Sequence, residues 1–332
     1  MKQISVIVCN NGLGHAKRVS YLIARLKKNS NYSFKIYADR ARLNFMKDCI
    51  QFEANISKKI EWNELNADVE NYEIVINEQY PESWYASDIV WSDNFLFPTA
   101  YHNNVIITGS FLWCEVSTNN SFVLREKSLM NESIRIIGSL YFATDTVKSL
   151  DFIGVGIYNY LNININNNKA NGILLSCGKS KKAVALFKKE ITKLQFTILH
   201  LNEDVNIYIE PDFYHYFKKI PHCYAADYSA KMYREIGSTV IRPGIGSVSD
   251  AICIKARIYA VIESDNAEIE NNVNTIEHLG IGEKSNCYSD GLIQAINYRT
   301  KLAETHKYGN FNIEIDGIRS TTKELENFFN KY

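Results

Sequence analysis

Short apolar runs alternate with amphipathic stretches at the start of the chain. The run ISVIVC (4–9) is followed by the polar loop NNGLGH (10–15). Residues 16–28 then carry apolar side chains at helical spacing, on a face formed by Val19, Leu22, Ile23 and Leu26. The run FKIYAD (34–39) returns to the strand pattern. This order predicts a βαβ unit, and with it a parallel sheet covered by helices.

The same rhythm continues along the chain. Further strands are predicted at 73–77, 88–93 and 104–110, and a second series at 172–176, 195–201, 206–210, 238–244 and 256–263. Residues 321–332 predict a terminal helix with Thr321 or Thr322 at its N-cap. Two βαβ series in one chain predict two similar domains.

An Asn-rich segment at 162–172 separates the two series and is typical of a linker or surface loop. A chain of 332 residues also exceeds what one hydrophobic core usually supports. We therefore predict an α/β fold with two facing Rossmann-like domains, at 1–150 and 151–332, and we consider that the terminal helix crosses back to the first. Ligands of parallel sheets bind beyond the carboxyl ends of the strands, so we expect the functional site between the domains.

Charge and cysteine content narrow the class of protein. Lys+Arg and Asp+Glu both number 37, so the net charge is zero and the basic excess of a nucleic-acid-binding protein is missing. The seven cysteines are scattered without a C-x-x-C pair, which indicates thiols in a reducing compartment and neither disulfides nor a zinc site. The sequence shows no signal peptide and no apolar run that could span a bilayer. We expect a cytoplasmic protein that uses no metal ion or cofactor.

The first glycine-rich turn leads from a predicted strand into a helix. Gly12 and Gly14 let the backbone turn tightly and let a ligand approach the N-terminus of that helix. His15 lies in the first helical turn, where the helix dipole favours a neutral imidazole that can accept a proton from a hydroxyl. Asp93, at the end of a predicted strand, is expected to orient this imidazole. The alternative is a structural turn with a surface histidine.

A dehydrogenase is a further interpretation of the same turn. The G-x-G pattern is present, and Asp39 ends the next strand, where a ribose-binding acid would lie. The dinucleotide fingerprint requires Gly or Ala where this chain has Lys17, so we set this interpretation aside.

Two more glycine-rich turns lie in the second half of the chain. The turn at 176–180, SCGKS, lacks the first glycine of a P-loop because residue 173 is Ile. It is suited to holding a diphosphate through backbone N–H groups, with Lys179 as a point charge, or it is an ordinary turn. The turn RPGIGS (242–247) presents a second helix N-terminus, which Ser247 or Ser249 is expected to cap. Acids and amides at 263–272 then suit sugar hydroxyls, or form a solvated loop.

The order of three segments carries a resemblance. GLGHAKRVSYLIARL, RPGIGSVSDAI and ESDNAEIENNVNTIEHLGIG resemble the GT-B nucleotide-sugar glycosyltransferases, in particular the peptidoglycan GlcNAc transferase and glycosyltransferase family 28-like enzymes. The resemblance covers the start of the chain and about residues 171–285. It implies a metal-independent hexosyl- or N-acetylhexosaminyltransferase of bacterial surface glycan synthesis. Its donor would be UDP-linked, and its acceptor a glycan, a lipid-linked molecule or a protein.

The resemblance also implies roles for residues. His15 would be the catalytic base, assisted by Asp93, in an acceptor-side loop that contains Gly12 and Gly14. The donor and its nucleotide would be bound by Gly178, Lys179, Tyr228, Ser229, Arg242, Gly244, Gly246, Ser247, Glu268, Glu270 and Asn271. Arg242, Pro243 and Asp250 depart from the family pattern, which leaves the nucleotide and the donor sugar open.

Two other functions stay open at this point. A nucleotide-sugar hydrolase, similar to the one of pseudaminic acid synthesis, shares this layout, with His15 activating water. A non-catalytic protein with a nucleotide-sugar cleft is the other. The transferase is favoured because aromatic residues of the middle region suit a sugar acceptor, unless they belong to the core: Tyr80, Trp84, Tyr85, Trp91 and Phe95. The basic segment 40–47 is a candidate contact with anionic lipid at the inner membrane face.

Overall fold

The computed structural model describes residues 1–9, 13–28, 32–52, 60–65, 86–161, 172–201, 205–305 and 313–332. They form two compact units. The first unit comprises Met1–Tyr158 and Glu314–Tyr332, and the second comprises Asn159–Ile313. The predicted strand at 73–77, and all but the last residue of the Asn-rich segment, lie outside the described residues.

The first unit contains a seven-stranded parallel sheet in the order β3-β2-β1-β4-β5-β6-β7. Its strands are β1 (Lys2–Ile7), β2 (Tyr32–Ala38), β3 (Ile60–Glu64), β4 (Ile89–Asp93), β5 (Val105–Thr108), β6 (Arg135–Ser139) and β7 (Asp151–Val155). Its helices are α1 (Leu13–Lys28), α2 (Arg40–Phe52), α3 (Trp113–Val116), α4 (Asn120–Ser128), α5 (Asp145–Lys148) and α12 (Gly317–Lys331), with a 3₁₀ turn at Phe97–Ala100.

The second unit contains a six-stranded parallel sheet in the order β10-β9-β8-β11-β12-β13. Its strands are β8 (Gly172–Ser176), β9 (Ile207–Ile209), β10 (Cys223–Ala225), β11 (Ile236–Ile241), β12 (Arg257–Val261) and β13 (Gly282–Ser285). Its helices are α6 (Lys181–Leu199), α7 (Pro211–Phe217), α8 (Ala230–Glu235), α9 (Ile245–Cys253), α10 (Ala267–His278) and α11 (Tyr288–Thr305).

Both sheets are Rossmann-like and confirm the predicted fold class of α/β with parallel sheets. Every residue of the central strands β4, β8 and β11 is buried, which explains why these strands appear in the sequence as apolar runs. In each sheet the strand order reverses once, between β1 and β4 and between β8 and β11. Ligands of open parallel sheets bind at such switch points, beyond the carboxyl ends of the strands.

The units divide the chain differently from the predicted domains. β7 pairs with β6, so residues 151–155 extend the first sheet. The terminal helix α12, which was expected to cross back to the first domain, lies in the first unit, where Leu325 and Phe329 are buried. The Lys2 ammonium donates to the Phe329 carbonyl at 2.6 Å, close to the negative end of that helix.

The strand predicted at 195–201 is wrong. Residues 195–199 form the last turns of α6, in which Phe187, Leu194 and Ile198 face the core. These positions follow helical spacing through the whole helix, and that period outweighs the local strand propensity of Phe, Thr and Ile.

Two predicted helix caps are also wrong. α12 begins four residues before Thr321, with Asp316 at its N-cap, and Thr321 and Thr322 lie buried inside it. Gly244 is the N-cap of α9, and the Ser249 hydroxyl donates to the Ile245 carbonyl at 2.7 Å. In both cases the helix starts earlier than the hydroxyl residues predicted to cap it, and such boundaries depend on the packing of the preceding loop.

Candidate functional site

The switch point of the first sheet brings together His15 and Asp93. His15 is the third residue of α1, which follows β1, and Asp93 is the last residue of the adjacent strand β4. His15 Nδ1 lies 2.7 Å from Asp93 Oδ2, and the Asp93 side chain is fully buried. The expected contact between these two side chains is therefore present, while their catalytic role stays a prediction.

Arg18 completes this cluster and was not singled out from the sequence. It lies three residues after His15, on the same face of α1, and only 3% of its surface is exposed. Its Nη2 donates to Asp93 Oδ1 and, at 2.9 Å, to Asn94 Oδ1. The signal was available in the GLGHAKR motif, because residues at this spacing share a helix face.

Arg18 and His15 keep the Asp93 carboxyl group ionised. Burial alone would raise the pKa of this carboxyl, but the Arg18 and His15 charges and hydrogen bonds lower it to about 2. Asp93 is therefore an ionised acceptor near neutral pH, so Nδ1 of His15 carries the proton in their hydrogen bond. The remaining nitrogen, Nε2, has no hydrogen-bond partner among the described residues, and it can accept a proton from a substrate.

The backbone at the end of β4 is shaped for this arrangement. Asn94 adopts a left-handed conformation with φ of 66°, and its Nδ2 donates to the Phe111 carbonyl. A Cβ at Gly109 would lie 2.4 Å from Asn94 Cγ, so only glycine leaves room for this side chain. The Asn94 amide thereby fixes the loop that supports Asp93.

Two aromatic rings border the imidazole. The Trp113 ring centroid lies 5.4 Å from that of His15, and Phe111 approaches edge-on at 6.1 Å. These rings differ from the aromatic residues expected from the sequence. Trp91 and Phe95 are 0% and 2% exposed and belong to the core, which corrects their assignment to an acceptor surface. Tyr80, Trp84 and Tyr85 lie outside the described residues.

Of the two glycines in the first glycine-rich turn, the structure describes only Gly14. Gly12 lies outside the described residues. Gly14 is exposed in the first turn of α1, and a Cβ there would meet no described residue within 4 Å. The described residues therefore leave room for a side chain at this position.

The switch point of the second sheet carries the turn after β8. Gly178 has φ of +67°, a conformation that favours glycine. The Ser180 hydroxyl caps α6 by accepting from Ala183 N at 3.1 Å. The Lys179 ammonium, expected to be a point charge for phosphate, pairs with Glu210 at 3.1 Å and with Asp212 at 2.7 Å.

Glu210 is the buried centre of this region and was missed from the sequence. It follows β9 and is 3% exposed. Its carboxylate accepts from the Ser176 hydroxyl and, at 2.9 Å, from the Tyr228 hydroxyl. Tyr228 has φ of 53° and is 40% exposed, and Ser229 caps α8 by accepting from Met232 N at 3.1 Å. Burial and the charge of Glu210 raise the pKa of the Tyr228 phenol.

The turn after β11 lies beside the turn after β8, because β11 and β8 are paired. Arg242 Nε donates to Glu263 Oε2 at 2.5 Å, and Glu263 is 6% exposed. Asn272 Nδ2 donates to the Pro243 carbonyl at 2.8 Å, which fixes the turn against α10. Gly244, Gly246 and Ser247 are partly exposed at the N-terminus of α9.

The acidic and amide residues after β12 form the start of α10. Asn266 caps this helix by accepting from Ile269 N at 3.2 Å. Glu268 and Glu270 lie in the first turn, followed by Asn271, and Glu270 is exposed. Carboxylates at this end of a helix are stabilised by its dipole, so the position has a structural reason as well.

The described part of the chain shows neither a metal-binding cluster nor a membrane-spanning helix. Within it, no group of three or more His, Cys, Asp or Glu side chains is arranged to hold a metal ion. None of its helices combines the length and the apolar character needed to cross a membrane.

Comparisons with known proteins identify the fold. No protein-family model matches the chain, and no curated protein matches it in sequence. The calicheamicin glycosyltransferase CalG4 superposes with a TM-score of 0.64 at 11% identity, covering 100% of this chain and 99% of that one. UGT89C1 of Arabidopsis thaliana, complexed with UDP, gives 0.63 at 11% identity, covering 98% and 99%. The spinosyn rhamnosyltransferase SpnG, complexed with thymidine diphosphate, gives 0.58 at 10% identity, covering 100% and 96%. The chain has the GT-B fold of these glycosyltransferases.

Proposed function

We propose that this protein is a glycosyltransferase that moves a sugar from a nucleotide-sugar donor to an acceptor hydroxyl. The observation that carries the proposal is the buried His15–Asp93 pair, in which Nδ1 is engaged at 2.7 Å and Nε2 meets no hydrogen-bond partner within the part of the chain that the structure describes. This pair lies at the switch point of a sheet whose fold is shared with glycosyltransferases.

In the proposed reaction, His15 Nε2 takes the proton of the acceptor hydroxyl. The acceptor oxygen forms a bond with the anomeric carbon of the donor sugar, and the bond from that carbon to the diphosphate oxygen breaks. The nucleoside diphosphate leaves with the electron pair. Asp93 keeps its charge throughout and stabilises the imidazolium that forms. Arg18 holds Asp93 in place.

The second unit is proposed to bind the donor. The turn at Gly178 and the α9 N-terminus at Gly244, Gly246 and Ser247 would offer backbone N–H groups to the diphosphate. Residues around them would bind the nucleoside and the sugar hydroxyls, namely Tyr228, Ser229, Arg242, Glu268, Glu270 and Asn271. Lys179 would add a point charge near the diphosphate. UDP and thymidine diphosphate complexes of proteins with this fold support a nucleoside diphosphate as the leaving group.

The finer parts of the proposal come from the sequence motifs. They are the likeness to the peptidoglycan GlcNAc transferase, a UDP-linked hexosyl or N-acetylhexosaminyl donor, metal independence, and a glycan, lipid-linked or protein acceptor in the cytoplasm. The proposal also includes contact of segment 40–47 with anionic lipid. Arg40 and Arg42 pair with Glu64 at 3.2 Å and Asp39 at 3.1 Å, so this contact would compete with existing ion pairs.

The test follows nucleotide release from a panel of UDP- and dTDP-sugars, with and without a cell-derived glycan acceptor. A transferase releases nucleotide in proportion to acceptor and attaches the labelled sugar to it. Release without acceptor, yielding free sugar at a rate that added glycan does not change, would replace the transferase by the hydrolase. His278→Ala is a matched control for His15→Ala, because His278 is exposed at the end of α10.

A further inference from the structure

The chain leaves the first unit after Tyr158 and returns to it at Glu314. The segments next to these two points, 156–158 and 314–317, are hydrogen-bonded to each other, and we call this paired structure the crossing. Ile157 N donates to the Glu314 carbonyl at 2.7 Å, and Gly317 N donates to the Ile157 carbonyl at 3.0 Å. The outgoing and returning segments therefore form one backbone-paired structure within the first unit.

Two glycines permit this close pairing. A Cβ at Gly317 would lie 2.3 Å from the Gly156 carbonyl oxygen, and a Cβ at Gly156 would lie 2.7 Å from the Glu314 carbonyl oxygen. Both distances are shorter than any side-chain carbon tolerates, and the opposing atoms are backbone. The close pairing therefore requires glycine at both positions.

Tyr158 connects this crossing to the candidate base. Its side chain is 3% exposed, and its hydroxyl lies 3.0 Å from Thr321 Oγ1 inside α12. The Arg18 guanidinium carbon lies 5.8 Å from the centroid of the Tyr158 ring. Burial raises the pKa of the Tyr158 phenol, so the ring stays neutral near physiological pH.

We propose that Tyr158 is a positioning residue for the base, linking α12 through Thr321 to Arg18 and thereby to Asp93 and His15. This inference rests on the proposed function. Arg18 is almost fully removed from water, and its guanidinium contacts the Asp93 carboxylate, the Asn94 and Thr108 oxygens, and the electron-rich face of the Tyr158 ring. Without the Tyr158 ring, the Arg18 guanidinium has room to turn away from Asp93. The negative charge of Asp93 beside the His15 imidazole is then less well compensated.

The experiment compares Tyr158→Leu, Tyr158→Phe and Tyr141→Phe in the full chain. Tyr158→Leu removes the ring, whereas Tyr158→Phe keeps it and removes only the hydroxyl contact with Thr321. Tyr141 is the matched control because its hydroxyl accepts from Glu314 N at 3.0 Å, at the same crossing, and no contact joins it to Arg18 among the described residues.

We expect Tyr158→Leu to lower kcat about 10-fold, with donor KM within about 2-fold of wild type. The acid limb of its pH–rate profile should move to higher pH, because the less neutralised Asp93 favours the protonated imidazole. Tyr158→Phe should restore most of kcat, and Tyr141→Phe should match wild type. Wild-type kcat and an unshifted profile in a folded Tyr158→Leu would overturn the proposal, as would an equal loss in Tyr141→Phe.

A second readout separates this inference from the proposed function. If the wild type turns over no sugar nucleotide, NMR titration of the His15 imidazole, assigned with His15→Ala, still reports on the linkage. Its midpoint should move to higher pH in Tyr158→Leu and stay unchanged in Tyr141→Phe. An unchanged midpoint in Tyr158→Leu would refute the positioning role, whatever the activity.

Discussion

Both sheets of this chain place polar residues at the carboxyl ends of two neighbouring strands, but the two clusters are built differently. In the first unit His15, Arg18 and Asp93 are at most 9% exposed and contact one another. In the second unit the side chain of Lys179 is 41% exposed and Tyr228 is 40% exposed, around a left-handed glycine turn. A buried ion cluster holds a proton acceptor in one orientation. An open turn beside a helix N-terminus suits a large polyanion.

The largest expected effect separates these two roles. His15→Ala should lower the rate of sugar transfer by roughly 10²–10⁴, because it removes the group that we propose accepts the hydroxyl proton. Steady-state nucleotide release with acceptor present measures the loss. His278→Ala should leave the rate unchanged, and a similar loss there would mean that histidine substitution acts on stability rather than on chemistry.

The next effect concerns the stability of the buried cluster. Arg18→Met leaves the Asp93 carboxylate without its full counter-charge and should lower the free energy of unfolding by about 3 kcal/mol. Adding Asp93→Asn should recover part of this loss, because the uncompensated charge is then gone. Urea unfolding of the single and double variants checks both. The exposed Arg234→Met is the control, expected within about 0.5 kcal/mol of wild type.

A second buried carboxylate in the same unit sharpens the contrast. Glu126 accepts from Leu96 N and Phe97 N, both at 2.7 Å, and so fixes the segment that follows Asp93 and Asn94. Burial raises its pKa to about 7, although the two backbone N–H groups and Arg125 act in the opposite direction. Asp93, which has a buried cation beside it, shifts the other way.

The two carboxylates give opposite pH dependences. The stability from Asp93 is present above about pH 4 and is lost as pH falls towards 2. Because the pKa of Glu126 is raised, its contribution to the free energy of unfolding is fully present below about pH 4.5. This contribution decreases by about 3 kcal/mol as the pH rises through 7. Unfolding measurements from pH 5 to 8 should show this decrease in wild type and not in Glu126→Gln. The same slope in both proteins would rule out Glu126 as its source, and the exposed Glu132→Gln should retain it.

The smallest effect lies in the second unit. Lys179→Ala should weaken nucleotide binding by no more than about 3-fold, because the ammonium is already paired with Glu210 and Asp212 and is partly exposed. Calorimetric titration with UDP measures this change. A loss of about 100-fold would show that Lys179 leaves these carboxylates for the diphosphate, as the sequence alone suggests.

The sequence predicts the parts of this molecule that depend on local patterns. The buried strands follow from their apolar runs. The His15–Asp93 contact follows because both residues end up at strand carboxyl ends that a parallel sheet brings together. Arg18 was missed although its spacing from His15 places both on one face of α1, because a charged helix residue is usually exposed and only tertiary packing buries this one. Glu210 was missed because its partners Ser176 and Tyr228 come from distant segments of the chain. The burial of Trp91 and Phe95 was missed because tertiary packing decides it.

The assignment of chemistry to the first unit and donor binding to the second is tested most directly by comparing nucleotide affinity in two variants. Gly246→Leu should weaken UDP or dTDP binding at least about 100-fold, because its side chain blocks the α9 N-terminus and removes charge-assisted hydrogen bonds. His15→Ala should bind nucleotide within about 3-fold of wild type while transfer is lost. The exposed Ala185→Leu in α6 controls for added bulk. Normal affinity in Gly246→Leu together with lost affinity in His15→Ala would contradict the account.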